Sequence, residues 1–393
     1  MAEPAHQEDV TAEIAARVEM FVREIVVAFE QDSRWSSHGP TSELLNELRK
    51  KATAAGVLTP HVRVDGSHLG HRSTVRILRA AGLSPLGPAA VNAAAPDEGN
   101  MYLLGKVGTP EQKEKYLAPL LSGRARSAFL MTEPAAEGGA GSDPTMLQTT
   151  ARADGEDWII SGRKAFVTGA QGASFGIVMA KTTETATMFL VPLPQPSVVI
   201  ERVLDTIDRS MPGGHGVVSL NNVRVSGDCV LGEVGAGFSY AQVRLAPARL
   251  THCARWLGAC IRAQEIATEY AVRRQSFGRA LIDHEGVGFM LAENLIALKQ
   301  AELMIDWCAD VLDSGASGGT ESAMTKVAVS ESLYRVADNC VQVMGGTGVT
   351  RDTIVEQVFR EIRAFRIYDG PTEVHKWSLA KHIRRNEVKR CLA

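Results

Sequence analysis

SAFLMTEPAAEGGAGSD, residues 127–143, stands where the chain changes period. Upstream, apolar residues recur at spacings of three and four, as in TAEIAARVEMFVREIVVAFEQ, the mark of an amphipathic helix. TSELLNELRKKATAAG opens on a Thr cap and ends on glycine. TPEQKEKYLAPLLSG has Thr109 as N-cap, Pro110 at the first helical position, Gln112 at the third and Gly123 closing. From residue 127 onward the period shortens. SAFLMT, QTTARA, DWIISG, KAFVTG, FGIVMAK, TMFLVPL, SVVIERV and HGVVSLNNVRV read as short strands. Gly, Pro, Asn and Asp separate them, with DGED and NN as turn signals. Past residue 232 the helical period returns in long pieces: HCARWLGACIRAQEIATEYAVRR, EGVGFMLAENLIALKQAELMIDWCADVLDSG and TESAMTKVAVSESLYRVADNCVQVMGG. The expected architecture is α+β and multidomain. It has a helical domain over 1–126, an antiparallel β-sandwich or barrel over 127–232 and a helical bundle over 233–393.

Composition excludes several classes. The net charge is −3 and no Lys/Arg block occurs, so neither nucleic acid nor an anionic membrane surface is an expected partner. No apolar run is long enough to span a bilayer. The first twenty residues are acidic and read as neither signal nor transit peptide, so a cytoplasmic location is expected. Cys229, Cys253, Cys260, Cys308, Cys340 and Cys391 show no CxxC spacing and read as reduced thiols. The ten histidines form no HExxH pattern, and no metal site is expected.

The usual nucleotide fingerprints are missing. No GxGxxG follows a strand in a βαβ unit, and no GxxxxGK precedes Ser or Thr. Two other glycine-rich segments remain, EGGAGSD at 137–143 and QVMGGTG at 342–348. A glycine at a helix end is most often a C′ cap, but adjacent glycines also let backbone approach a ligand closely. Near the C-terminus, RAFRIYDGPTEVHK (363–376) holds Asp369 among Arg363, Arg366, His375 and Lys376. Local chemistry makes Asp369 a turn carboxylate, because Asp-Gly favours turns. A general base is the other reading.

MTEP and AGSD, then KAFVTGA, RRQSFG, QVMGGTG and YDG, in that order, resemble the acyl-CoA dehydrogenase family over nearly the whole chain. NAAAPDEGNMYLLGKVGTPEQKEKYLAPLLSG, RLAPARLTHCARWLG and YDGPTEVHK resemble one branch of it, often fused in animals to an aminoglycoside-phosphotransferase-like domain. No such domain is expected within these 393 residues. The resemblance implies FAD bound without a Rossmann fold and an acyl-CoA thioester as substrate. It implies α,β-dehydrogenation to a trans-2-enoyl-CoA, as in fatty acid metabolism, with an electron-transfer flavoprotein as acceptor. It also implies a homodimer or homotetramer, with the FAD site shared between subunits.

The resemblance carries roles residue by residue. Leu130, Met131 and Thr132 match the strand end that meets the flavin ring. Ser142 matches a serine near flavin and thioester, although AAEGG separates Pro134 from AGSD where one residue is usual. Phe166 stands for the aromatic that shields the flavin, often Trp, and Thr168 for a threonine that bonds to it. Arg274, Ser276 and Phe277 match the segment whose arginine meets the FAD pyrophosphate, a task that suits a permanent, planar charge. Gln342, Gly345 and Gly346 match the stretch at the adenylate half, and Glu373 stands where a glutamine commonly meets FAD. Arg249, Tyr368 and Gly370 match positions near the acyl-CoA. Gln357 replaces a usual Lys or Arg, and Ala246 replaces a usual Asp. His252 reads as a helix residue, with a place in the acyl pocket as the other option.

The reaction needs a carboxylate to take the α-proton, donors for the forming enolate and a hydride acceptor at Cβ. The family's usual base is the Glu of YEG, which is Asp369 here. Some subfamilies use a Glu at the position of Ala248, which cannot act. Asp369 is therefore the expected base. The alternatives are a nitroalkane-oxidase-like flavin oxidase and a non-catalytic FAD or acyl-CoA scaffold.

Overall fold

The computed structural model describes residues 4–63, 65–183 and 185–392, with side chains described over 10–386 of these. The principal helices are α1 (Pro4–Glu24), α2 (Ser42–Ala54), α3 (His71–Ala81), α4 (Asp97–Val107), α5 (Gly237–Arg273), α6 (Glu285–Asp313), α7 (Gly319–Met344), α8 (Val355–Phe365) and α9 (Thr372–Leu392). The principal strands are β1 (Ser127–Leu130), β2 (Thr150–Asp154), β3 (Asp157–Thr168), β4 (Phe175–Thr182), β5 (Thr185–Pro192), β6 (Val198–Leu204) and β7 (His215–Ser226). Thr41 caps α2, and Thr109 and Gln112 close a reciprocal capping box. Helix α5 starts earlier than its periodicity suggests and runs through Pro247. A proline removes one helix donor, and here the flanking turns keep the helix continuous.

The chain forms two compact units, Met1–Glu30 with Gly70–Pro88 and Ala246–Ala393, and Gln31–Leu69 with Ala89–Leu245. These units cut across the three zones of periodicity, because apolar helix faces find partners far along the chain. In the first unit α3 packs on both α1 and α6. Its N-cap is Gly70, which has no side chain to cap with. The Asp313 carboxylate at the end of α6 does so instead, accepting from His71 N at 2.6 Å and Arg72 N at 2.8 Å. Helix α8 buries Val355, Val358, Ile362 and Phe365, spaced by three and four as an amphipathic helix requires. It packs on α7, which also packs on α9.

The second unit holds a seven-stranded sheet in the order β1-β4-β2-β3-β7-β6, with β5 on β4. Most pairs are antiparallel, as the hairpin-like turn signals suggest, but β1 and β2 both pair with β4 in parallel. Strand β4 is apolar on both faces because both are covered. Phe175, Ile177 and Met179 join a core with Met101, Leu104, Tyr116 and Leu120, while Val178 and Ala180 join a second core with Ile160, Val218 and Val223. Among the described residues no helix is long and apolar enough to cross a membrane. Cys229, Cys253, Cys260, Cys308 and Cys340 are buried free thiols; Cys391 lies outside the described side chains.

Candidate active site

Asp369 lies in the short connection between α8 and α9, in the first unit. Its φ is 54°, the left-handed region that a non-glycine residue enters only under restraint. Three helices supply the restraint. The Asp369 carbonyl accepts from Arg249 Nε of α5 at 3.0 Å and from His375 Nε2 of α9 at 3.0 Å. The next carbonyl, Gly370, accepts from Lys326 Nζ of α7 at 2.7 Å. The connection is also tied at its ends. Arg366 Nε donates to Glu331 Oε1 at 2.9 Å, and the Thr372 hydroxyl donates to the same oxygen at 2.6 Å. Gly370 is required here: its φ is +98°, and a Cβ would sit 2.6 Å from His375 Nε2. Gly370→Ala should therefore lower unfolding stability by about 1–3 kcal/mol, read as a fall in the calorimetric midpoint.

The Asp369 side chain is 20% exposed, and its Oδ2 lies 3.3 Å from His252 Nε2. Four basic residues thus converge on one Asp-Gly peptide: Arg249, His252, Lys326 and His375. Arg363, Arg366 and Lys376, close in sequence, are not among them. Burial pushes the fully buried Lys326 down to about 8, an effect that the charge of Asp369 opposes. Burial, helped by the charge on Arg249, takes His375 down to about 4. His375 is thus neutral near pH 7, and its Nε2 must carry the proton that the Asp369 carbonyl accepts. Tyr368 is anchored through its hydroxyl, which accepts from Trp256 Nε1 at 2.6 Å.

The second unit presents the strand-end residues. Leu130 is buried in the sheet core, and Thr132 O accepts from Ala165 N at 2.9 Å. The long AAEGG segment is a closed excursion. Glu133 N bonds Ala140 O at 2.8 Å, and Ala135–Glu137 form a single 3₁₀ turn ending on the left-handed Gly138. Ser142 follows this closure and is exposed. Beneath lies a buried ion pair, Lys164 Nζ to Glu133 Oε1 at 2.9 Å. Phe166 sits in a β-bulge, where the β3–β7 register slips between Lys164 and Val167. It has φ 53° and is 62% exposed. A bulge re-aims a side chain, and here it holds an aromatic outward in strained backbone. The Thr168 hydroxyl lies 3.0 Å from His215 Nδ1, and His215 Nε2 lies 2.9 Å from Asp208 Oδ2. Burial pushes Asp208 up, but its bond to His215 outweighs this and leaves it below the usual carboxylate value. The tautomer of His215 decides which of the Thr168 hydroxyl and His215 Nδ1 donates across their contact.

The remaining cofactor candidates are in the first unit. Gln275–Ser276 pairs with Arg279–Ala280 in a tight hairpin whose two central residues, Phe277 and Gly278, both have positive φ, at 50° and 83°. Phe277 at its tip is 96% exposed. Arg274 is exposed, and no carboxylate pairs with it among the described residues. Gln342 lies at the end of α7, where Gly345 N caps its carbonyl. Gly345, with φ 57°, and Gly346 have nothing within 4 Å of where a Cβ would stand. Glu373 is exposed on the first turn of α9. Gln357 is buried, its amide donating to Glu361 Oε1 at 3.2 Å, so it faces the core rather than a ligand.

The models of three domains match this chain in order: acyl-CoA dehydrogenase N-terminal domain over 8–124, middle domain over 128–223 and C-terminal domain over 235–384. The chain belongs to the acyl-CoA dehydrogenase family. It is 35% identical over 404 residues to acyl-CoA dehydrogenase family member 11 of Gallus gallus, covering 97% of this chain and 51% of that protein. The human protein of that name is 36% identical over 89% of this chain and 46% of its own. The chain thus spans about half the length of these animal relatives. Butyryl-CoA dehydrogenase of Megasphaera elsdenii shares the fold, with a TM-score of 0.85 and 24% identity over 95% of this chain and 98% of that one.

Membership makes FAD the cofactor. The local features fit such a group: glycines with open approach at 345–346, an exposed arginine at 274, and strained, outward aromatics at 166 and 277. Among the described residues no group of three or more His, Cys, Asp or Glu side chains is placed to hold a metal ion. Sequence reasoning missed Lys326, Glu331, His215 and the Glu133–Lys164 pair. The available signal for Lys326 was a lone charge inside an apolar stretch, SAMTKVAV.

Proposed function

We propose that this chain is an FAD-dependent acyl-CoA dehydrogenase whose general base is Asp369. The observation that carries the reading is a half-buried carboxylate held in left-handed backbone by donors from three helices. A base must meet a C–H bond within tight limits of distance and angle, and a fixed peptide supplies that. In this reading Asp369 takes the α-proton of an acyl-CoA whose carbonyl is polarised by donors of the site. Bound FAD supplies the acceptor for the hydride leaving Cβ, so the product is a trans-2-enoyl-CoA. When FAD is bound, Leu130, Met131, Thr132, Phe166 and Thr168 would serve the flavin ring and Ser142 the flavin and thioester. Arg274, Ser276, Phe277, Gln342, Gly345 and Glu373 would hold the rest of the cofactor. Arg249 acts on the substrate side through the carbonyl of Asp369, to which its Nε–H is committed. Electrons leave to an electron-transfer flavoprotein.

The test is anaerobic mixing of the FAD-loaded protein with a panel of acyl-CoAs, straight-chain, branched and hydroxylated. Loss of the oxidised flavin absorbance with at least one member is expected. A protein that binds no flavin, or flavin that no thioester reduces, sinks the proposal. Steady oxygen consumption with a nitroalkane and none with thioesters would select the oxidase instead.

A further inference from the structure

One face of α5 makes three contacts with the Tyr368–Asp369 pair. Arg249 reaches the Asp369 carbonyl, His252 reaches the Asp369 carboxylate, and Trp256 reaches the Tyr368 hydroxyl. Spacings of three and four put these residues on one helix face. Ala248 lies one turn before His252 on that face, so the position that carries a base in some family members is filled by a methyl group. The polar contact that α5 makes with the carboxylate comes from His252.

His252 is well fixed. It is buried, and its ring lies against Tyr368 at 5.0 Å and Phe365 at 5.8 Å. The Tyr368 ring is in turn anchored through Trp256. A carboxylate turns about a broad, two-fold torsion, so backbone restraint alone does not set its plane. The donors from Arg249, Lys326 and His375 all end on backbone carbonyls of residues 369 and 370. The 3.3 Å approach of His252 Nε2 to Oδ2 brings a ring nitrogen to the carboxylate itself.

We propose that His252 is a positioning residue for Asp369, its Nε2 standing 3.3 Å from Oδ2, within ion-pair reach though outside hydrogen-bond geometry, and so limiting the plane in which the carboxylate meets the substrate α-C–H bond. The inference rests on the reading of Asp369 as the base. The α-proton goes to the carboxylate, and His252 neither gains nor loses one in the step. The groups bearing on the pair are Arg249 and Cys253 on α5, Lys326 on α7 and His375 on α9. They stay in place when His252 alone is changed.

The experiment uses the FAD-loaded protein. His252→Phe keeps the ring against Tyr368 and Phe365 but removes the donor. His252→Gln keeps an N–H that reaches the Nε2 position. Stopped-flow reduction by the acyl-CoA found active is measured from pH 5 to 10, with substrate affinity measured separately. The Phe variant should reduce up to about 10²-fold more slowly, as misplacement of a reacting group does, with affinity unchanged. The acid limb of its rate profile should move to higher pH, because a donor that favours the anion is gone. The Gln variant should recover most of both effects. If the Phe variant does not fold, His252→Ala against His252→Gln carries the same comparison. Wild-type rate and pH profile in the Phe variant overturn the proposal. So does an equal loss in the Phe and Gln variants, which marks a purely structural role. Asp369→Asn run alongside separates the failures. If it still reduces flavin, the base assignment fails; if it is inactive while the Phe variant is unaffected, only the role of His252 fails.

Discussion

Asp369→Asn protein should bind FAD and acyl-CoA and then leave the flavin oxidised, with a reduction rate down by about 10²–10⁴-fold, the usual contribution of a general base. The substitution isolates the carboxylate because the main-chain contacts of residue 369 do not depend on it. Asn tolerates left-handed backbone as well as Asp does, so φ 54° is no obstacle. The bonds from Arg249 and His375 end on the main-chain carbonyl and survive the change. The amide fills the same volume beside His252. What disappears is the proton acceptor and one negative charge beside Lys326 and Arg249, both of which Asp369 helps to keep protonated. Flavin content and substrate affinity should therefore hold while chemistry stops. Rapid-mixing absorbance under nitrogen reads the rate directly. A rate within tenfold of wild type would mean that another group takes the α-proton.

Much of this site was legible because its parts are local. The Asp-Gly turn, the Gly-Gly at the end of α7 and the glycine-rich excursion after β1 each carry their conformation in a few adjacent residues. Thr109 and Gln112 could be read as a capping box for the same reason. The alternation of strand residues could be read too, since side chains of a strand point to alternate faces. The rest depends on which helix faces meet. His252 reads as a helix residue with the acyl pocket as its other option, Lys326 carries no site signal of its own, and only the packing of α5, α7 and the α8–α9 connection brings them to one peptide. Lys326 looks like a solvated lysine until α7 is found to bury it. Phe166 reads as a strand residue, because no alternation rule announces a bulge. The parallel pairing of β1 with β4 joins strands 45 or more residues apart in the chain, which short-range turn signals do not encode. The two compact units escape the sequence for the same reason: period reports the type of an element, not the element it packs on.

Glu133→Ala should lower the stability of the second unit by about 3–5 kcal/mol at neutral pH, as loss of one partner of a buried ion pair does. Lys164 is 0% exposed and Glu133 3%. The carboxylate does more than balance the lysine. Its Oε2 accepts from Gln148 N at 2.7 Å and Ala140 N at 3.4 Å, and its Oε1 from Thr149 N at 2.9 Å. Without it, Lys164 keeps its bond to the Met131 carbonyl at 3.2 Å, and the closed excursion 133–140 loses its inner anchor. Burial alone would raise the Glu133 pKa, but the Lys164 charge and the amides outweigh it and bring the value from 4.5 down to about 2. The sign follows. A carboxyl whose folded value is depressed binds fewer protons folded than unfolded, so its stabilisation is complete above about pH 4.5 and fades as pH falls through about 2. At one unit per 1.36 kcal/mol, that share is about 3 kcal/mol. Burial pushes Lys164 down to about 8, so it remains charged across that acid window. Scanning calorimetry of the FAD-loaded protein at pH 7 and pH 3 should therefore show a lowered midpoint for Glu133→Ala at pH 7 and a weaker loss on acidification than in wild type. The paired change Glu133→Gln with Lys164→Met should recover much of the deficit, because it leaves no unpaired charge in the core. A wild-type midpoint at pH 7 in the single variant would show that the pair bears no such weight.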